Sequence, residues 1–286
     1  MRRGILFMLA AMAAFIFNDT CVKLASEDLP TGQIIFIRGL IATPLILLLA
    51  WQRGALVRPA ALLHRSVFWR TIGEMSATVL YLSALFNMPI ANANAILQTA
   101  PLLTTGAAAM FLGESVGLRR WSAIAIGFAG VLLIVRPGFE GFSIWSLVAL
   151  AATCAMVLRD LSSRALPAEI STLAVTALTT ICVMMLGGAW SLFVDWQPLA
   201  GADLAYLSGA AVFLIAAYIF IIAAMRSGDV SLVAPFRYSI MVWAILIQVI
   251  VFGSWPDGLM LAGSAVLVVT GIYMFARERA VAAETG

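Results

Sequence analysis

The sequence predicts an all-α integral membrane fold: ten transmembrane helices, arranged as two inverted-topology repeats of five around a central cavity. Three observations carry that prediction. The 286 residues are 63% hydrophobic and only 11% charged, with a mean hydropathy of +1.04, whereas soluble domains are about a quarter charged. The apolar residues fall into ten stretches near the roughly twenty residues that cross a bilayer. Two acid–base pairs also recur at one offset: Asp19 and Asp160 stand 141 positions apart, as do Lys23 and Arg164.

The same composition excludes other classes. A net charge of +3 is too small to suggest nucleic acid, and in a membrane chain the placement of charge matters more than its sum. Cys21, Cys154 and Cys182 all lie in apolar stretches. They read as small apolar residues and not as a disulfide framework or metal site, and no cofactor is expected.

The first span, 4–25, opens "GILFMLAAMAAFIF" and ends on the polar Asn18-Asp19 pair. Two arginines before an apolar run also describe a signal peptide, but no small-x-small cleavage site follows, so the segment is expected to stay as a helix. The second span, 31–51, carries Arg38, and the third, 67–87, carries Glu74. The fourth, 90–113, is interrupted by Pro101, and the fifth covers 119–136. The sixth, 143–165, repeats the acid–base pair; the seventh and eighth are 169–194 and 203–226. The ninth, 230–252, is interrupted by Pro235, and the tenth is 258–276. The longest connection, 52–66, leaves no room for a soluble domain.

Counting Lys and Arg at the span ends sets the orientation. With a cytoplasmic N-terminus, the inner side receives Arg2, Arg3, Arg53, Arg58, Arg65, Arg70, Arg119, Arg120, Arg159, Arg164, Arg226, Arg277 and Arg279, while the outer side receives only Lys23 and Arg136. Trp51, Trp69, Trp121, Trp145, Trp190, Trp196 and Trp255 lie near span ends, where interfacial belts form. The expectation is a multi-pass chain of a bacterial-type inner (plasma) membrane with both termini cytoplasmic.

Five spans is an odd number, so a second set of five enters from the opposite side. Gly130 in "GFAGVLLI" and Gly271 in "VVTGIYMF" are again 141 apart, and "FLGES" and "VFGSW" end the fourth and ninth spans. The repeats are expected at 1–137 and 138–286. Inverted repeats with a midplane site between them are the signature of a secondary transporter.

The motifs then become specific. Five helices per half, "RGLIATPLILLLA" with Arg38, "APLLTTGAAAMFLGE" closing on Glu114, and "GLRRWSAIAIGFAGVLLIVRPG" resemble the EamA branch of the drug/metabolite transporter superfamily. The likeness is nearest to aromatic amino-acid exporters and covers about 5–137 and 143–276. Trp255 or its neighbours stand where that pattern has a second Glu. The resemblance implies a basket of helices around a central cavity, lined mostly by the first, third, fourth, sixth, eighth and ninth spans, with the fifth and tenth flanking. It also implies export of amino acids or related metabolites.

The residues alone point to a cavity too. A charge at the membrane centre costs about 2.5–3.5 kcal/mol on insertion scales, so Arg38, Glu74 and Arg237 must face protein or water. Equal depth suggests two ion pairs, Glu74 with Arg237 and Asp19 with Arg38. Helical spacing gathers Thr71, Glu74, Thr78 and Tyr81 onto one stripe, and Asn94, Gln98, Pro101 and Thr105 onto another. Arg237, Met241, Ala244 and Gln248 form a third, with Tyr238 adjacent. Glu74, Thr78, Tyr81, Asn94, Gln98, Arg237 and Tyr238 are therefore the candidate substrate-binding residues. Such stripes also serve interhelical hydrogen bonding.

Asp19, Lys23, Arg38, Asp160 and Arg164 are candidate gating or structural charges. Pro101 and Pro235 are candidate hinges or packing kinks, although they stand 134 apart and are not strict repeat partners. Tyr81, Tyr218, Tyr238 and Trp243 could stack on a planar solute, but aromatic residues in spans more often pack or face lipid. The small-residue faces at Ala123, Gly127, Gly130, Gly263 and Gly271 permit close packing within or between chains.

An enzyme would need a reactive constellation; the only histidine, His64, lies in an inner loop, and no metal-ligand cluster appears. No ring of polar groups suggests a channel. A nucleotide-sugar or organic-phosphate exchanger would want several cavity cations, where the sequence offers Arg237 and Arg38. A zwitterion fits that count better, its carboxylate at Arg237 and its amine near Glu74, Asn94 and Gln98. The expected partners are a small-molecule solute and the lipid bilayer. Glu74 is either a proton carrier or locked to an arginine. Oligomeric state stays open, with a monomer sufficient.

Overall fold

The computed structural model describes residues 2–55, 62–111, 117–136, 142–167, 169–226 and 233–285, and no β-strand occurs among them. Helices α1 (Arg2–Ala25), α2 (Thr31–Gln52) and α3 (Arg65–Asn87) are followed by α4 (Ile90–Leu97) and α5 (Ala100–Phe111). Then come α6 (Leu118–Val135), α7 (Ile144–Arg164), α8 (Thr172–Ser191) and α9 (Gly201–Arg226). A 3-10 turn, Ala234–Tyr238, leads into α10 (Ser239–Ile250), and α11 spans Gly258–Thr285. Glu114 and the boundary expected at 137/138 lie outside the described residues.

Helix is the local solution because hydrocarbon offers no partner for a free backbone N–H or C=O. Among the described residues six helices, α1, α2, α6, α7, α8 and α9, are long and apolar enough to cross a bilayer. Ala234–Ile250 and Gly258–Met274 are apolar but shorter. Helix α3 carries Arg70 and Glu74 and is not in that set. The burial pattern is that of a membrane protein: Leu48, Ile126, Phe128, Val212, Val242 and Val269 are exposed, while Asn18, Asp19, Gln33, Asn94 and Gln248 are buried. Trp51, Trp69, Trp121, Trp196 and Trp255 are exposed, whereas Trp145 and Trp190 pack against the core.

Helix α1 packs along α9, α2 along α8, α3 along α7 and α6 along α11, while α4 meets α10. In terms of the five-span halves, the first span meets the third of the other half and the third meets the first. The second, fourth and fifth meet their own counterparts. Such reciprocity is what a two-fold relation between halves produces.

Two contacts show how tight these seams are. A Cβ on Gly73 of α3 would lie 2.8 Å from the backbone nitrogen of Arg159 on α7. Between α6 and α11, a Cβ on Gly130 would lie 3.0 Å from the carbonyl oxygen of Gly263, and one on Gly263 would lie 2.6 Å from that of Gly130. The small-residue faces of the fifth and tenth spans thus pack against each other within one chain.

The stretches expected as the fourth and ninth spans are each divided. Residues 98 and 99 form a turn between α4 and α5, and Pro101 removes the N–H that would reach the Leu97 carbonyl. Leu97 and Tyr238, the last residues of α4 and of the 3-10 turn, stand 141 positions apart. The change of helix geometry therefore falls at matching points, although the two prolines do not match. Asp257 caps α11 by accepting from the Met260 backbone N–H at 2.8 Å. It also pairs with Arg136, which ends α6 in a left-handed conformation with φ 51°.

Candidate functional site

The divided spans border a cavity of about 690 Å³. Its walls come from α1, α2, α3, α4, α5, α7, α8, α9, the 3-10 turn and α10; no described residue of α6 or α11 lines it. The second and seventh spans thus join the six expected, through Arg38 and Gly39 on one side and Thr176, Thr179 and Thr180 on the other.

Helical spacing on α3 lays Arg70, Glu74, Thr78 and Tyr81 down the wall, over about 16 Å at the α-helical rise. At the Tyr81 end, Asp19 of α1 is buried, with 6% of its surface exposed. Its carboxylate accepts from the Tyr81 hydroxyl, from Asn94 Nδ2 of α4 at 3.3 Å and from Asn18 Nδ2 at 3.0 Å. Asn94 also donates to the Ile90 carbonyl at 3.1 Å, which fixes its amide. A buried carboxylate is tolerated because several donors converge on it.

At the other end, Arg159 of α7 donates to Asp160 Oδ1 at 2.8 Å and to Glu74 Oε2 at 3.4 Å. Arg70, 8% exposed, donates to the hydroxyls of Ser163 at 3.1 Å and Thr179 at 3.3 Å. Arg164 and Arg237 line the same region and are exposed, so this end is open to the surroundings. Between the two ends lie Arg38, Gln98 and Tyr218, and Tyr218 meets Phe15 edge-on at 5.9 Å.

All seven candidate substrate-binding residues, Glu74, Thr78, Tyr81, Asn94, Gln98, Arg237 and Tyr238, line this cavity, as do Asp19, Arg38, Asp160, Arg164 and Pro101. The pairing expected among them differs. Glu74 takes Arg159 in place of Arg237, because α7 lies against α3 while Arg237 sits on the 3-10 turn. Asp19 and Arg38 share the cavity without an ion contact, since neutral donors already hold Asp19.

Lys23 does not bond its helical neighbour Asp19. It donates to the carbonyls of Leu85 and Met88 at the end of α3, where the helix dipole favours a cation. Lys23 and Pro235 lie outside the cavity wall. Gln248 accepts from the Ala91 backbone N–H at 3.0 Å and acts between helices. Thr71 is buried away from the cavity, and Trp243 packs against the core.

The wall also holds Arg70 and Arg159, which charge counting had assigned to the inner face. A spacing signal existed: Arg70 lies one turn before Glu74, and Met156, Arg159, Asp160, Ser163 and Arg164 follow one helical face.

Among the described residues no group of three His, Cys, Asp or Glu side chains could hold a metal ion. The profile of the "EamA-like transporter family" matches residues 2–136 and 143–277. The pseudopaline exporter of Pseudomonas aeruginosa is 29% identical over 93% of this chain and 94% of its own length. The riboflavin transporter of Vibrio cholerae is 29% identical, over 94% and 91%. The S-adenosylmethionine uptake transporter of Rickettsia felis is 22% identical, over 96% and 93%. A crystal structure at 22% identity shares the fold with a TM-score of 0.63, covering 93% of this chain and 95% of that one. These relatives are named for solutes other than aromatic amino acids, so the nearer likeness read from the motifs is not what the comparisons return.

Proposed function

Because the chain belongs to the EamA-like transporter family, whose members matched here are transporters and not enzymes, we propose that it moves a small organic solute through the central cavity by alternating access. The halves, near 1–137 and 138–286, each cross the membrane five times, so the second is inverted relative to the first. The reciprocal helix pairing supports this arrangement, since a two-fold axis in the membrane plane relates inverted repeats. Both termini face the cytoplasm of a bacterial inner membrane, as the arginine bias indicates.

Export is the direction, and an amino acid or related metabolite the solute class. The observation that carries the reading is the cavity at the seam. It is closed at one end by the Asp19–Tyr81–Asn94 network and open at the other beside Arg164 and Arg237. Gln98 and Arg38 in its middle make no hydrogen bond to the described residues through their side chains, which leaves them for the solute.

The reading is tested in proteoliposomes loaded with a panel of unlabelled amino acids and related metabolites. A labelled solute outside should be drawn in faster when its own kind is trapped inside, and Gln98→Ala should slow that exchange at least several-fold. A panel with no such trans-stimulation would remove the reading.

A further inference from the structure

We infer that the central cavity selects solutes with net negative charge, binding a carboxylate or phosphate oxyanion at Arg38, with Arg70 adding to the positive charge of the same wall. The inference rests on the cavity being the solute site, as proposed above, and adds the class of solute.

Among the described residues the wall holds five cations, Arg38, Arg70, Arg159, Arg164 and Arg237, against three acids, Asp19, Glu74 and Asp160. What matters is how the acids are used. Arg159 alone engages both Glu74 and Asp160, at 3.4 and 2.8 Å. Asp19 accepts from Tyr81, Asn94 and Asn18, all of them neutral. Each of the three carboxylates therefore already has a donor within the protein, which weakens its claim on the amine of a zwitterion.

Arg38 and Arg70 are in the opposite condition. Arg38 is half-buried and has neither a hydrogen bond nor an ion pair among the described residues. Arg70 is buried, and its donors meet the hydroxyls of Ser163 and Thr179. Hydroxyls orient a guanidinium without cancelling its charge. Asp19 and Glu74 act on Arg38, and Glu74 and Asp160 on Arg70, only from a distance. A positive charge withdrawn from water and without a carboxylate in direct contact favours an anion brought to it. The planar guanidinium fits a carboxylate or phosphate through paired N–H donors. The view that too few cavity cations exist for an organic anion counted only Arg237 and Arg38. Arg70 and Arg159 change that count, and the acids near Arg70 make their direct contacts with Arg159.

Paired solutes of similar shape and different charge test the inference: glutamate against glutamine, and glycerol 3-phosphate against glycerol. Binding to the purified full chain is read as thermal stabilisation. At least one charged member should bind ten-fold or more tightly than its neutral partner, and which pair responds tells carboxylate from phosphate. Arg38→Gln should bring that ratio near one, while Arg38→Lys should keep most of it.

Neutral members binding as well as charged ones, no binding by either charged member, or an unchanged ratio in Arg38→Gln would overturn the inference. If Arg38→Gln does not fold, the wild-type ratio and the lysine variant decide. Flux is measured in parallel. A charged solute that binds without being moved defeats the transport reading alone, whereas transport indifferent to charge defeats this inference alone.

Discussion

Tyr81 donates its phenolic hydrogen to the Asp19 carboxylate, and Asn94 donates to the same oxygen from a third helix. One acid therefore ties α1, α3 and α4 together at the closed end of the cavity. Tyr81→Phe keeps the ring and removes that donor. Hydrogen bonds to charged groups contribute about 1.5–3 kcal/mol, so the variant should melt several degrees lower in detergent. Unchanged melting would mean that the bond holds nothing in place.

Glu74 and Arg159 should be coupled, and Glu74 and Arg237 should not. Both side chains of the first pair are roughly three-quarters buried, with 22% and 23% of their surface exposed, and Arg159 keeps Asp160 when Glu74 is neutralised. A double-mutant cycle of Glu74→Gln with Arg159→Gln should give about 0.5–2 kcal/mol of interaction in unfolding free energy. The same cycle with Arg237→Gln should give none within error.

Gly73→Val inserts two methyls where the α7 backbone already lies 2.8 Å from the position of a Cβ. Overpacking costs about 1–3 kcal/mol, and the helices can separate only by moving Arg159 from Glu74. Thermal unfolding should show the loss, and the Glu74–Arg159 coupling should shrink with it.

Sidedness follows from residues that share an end. Asn87 and Ser254 line one small cleft although they come from different halves. The Ser66 hydroxyl donates to the Ala165 carbonyl at 3.0 Å at the other end. In a cysteine-free background, Asn87→Cys and Ser254→Cys should react with an impermeant maleimide added outside intact cells. Leu63→Cys and Ala165→Cys should react only after lysis. A reversed or mixed pattern contradicts the proposed orientation.

Periodicity within one helix is local, which is why the stripe of Glu74, Thr78 and Tyr81 was legible and does line the cavity. Depth along a helix was legible for the same reason. Which cation meets which acid was not, because that depends on how distant segments are rotated against one another. Depth alone matched Glu74 with Arg237, whereas the α3–α7 seam brings Arg159. Lys23 stands one helical turn from Asp19 in the sequence, yet it is held by two carbonyls at the end of another helix, while that carboxylate is held by Tyr81 and Asn94. The 141-residue repeat related Asp19 to Asp160, yet their surroundings have diverged to neutral donors in one and a guanidinium in the other.

The α6–α11 pair stands apart from all of this. Its backbones touch at Gly130 and Gly263, and the Arg136–Asp257 contact joins the end of one helix to the start of the other. No described residue of either helix lines the cavity. With the cavity as the proposed solute site, sturdiness and cargo preference would reside in separate parts of the polypeptide, so natural variation could retune one without disturbing the other. Relatives named for pseudopaline, riboflavin and S-adenosylmethionine are the sort of diversity that such a division of labour would allow.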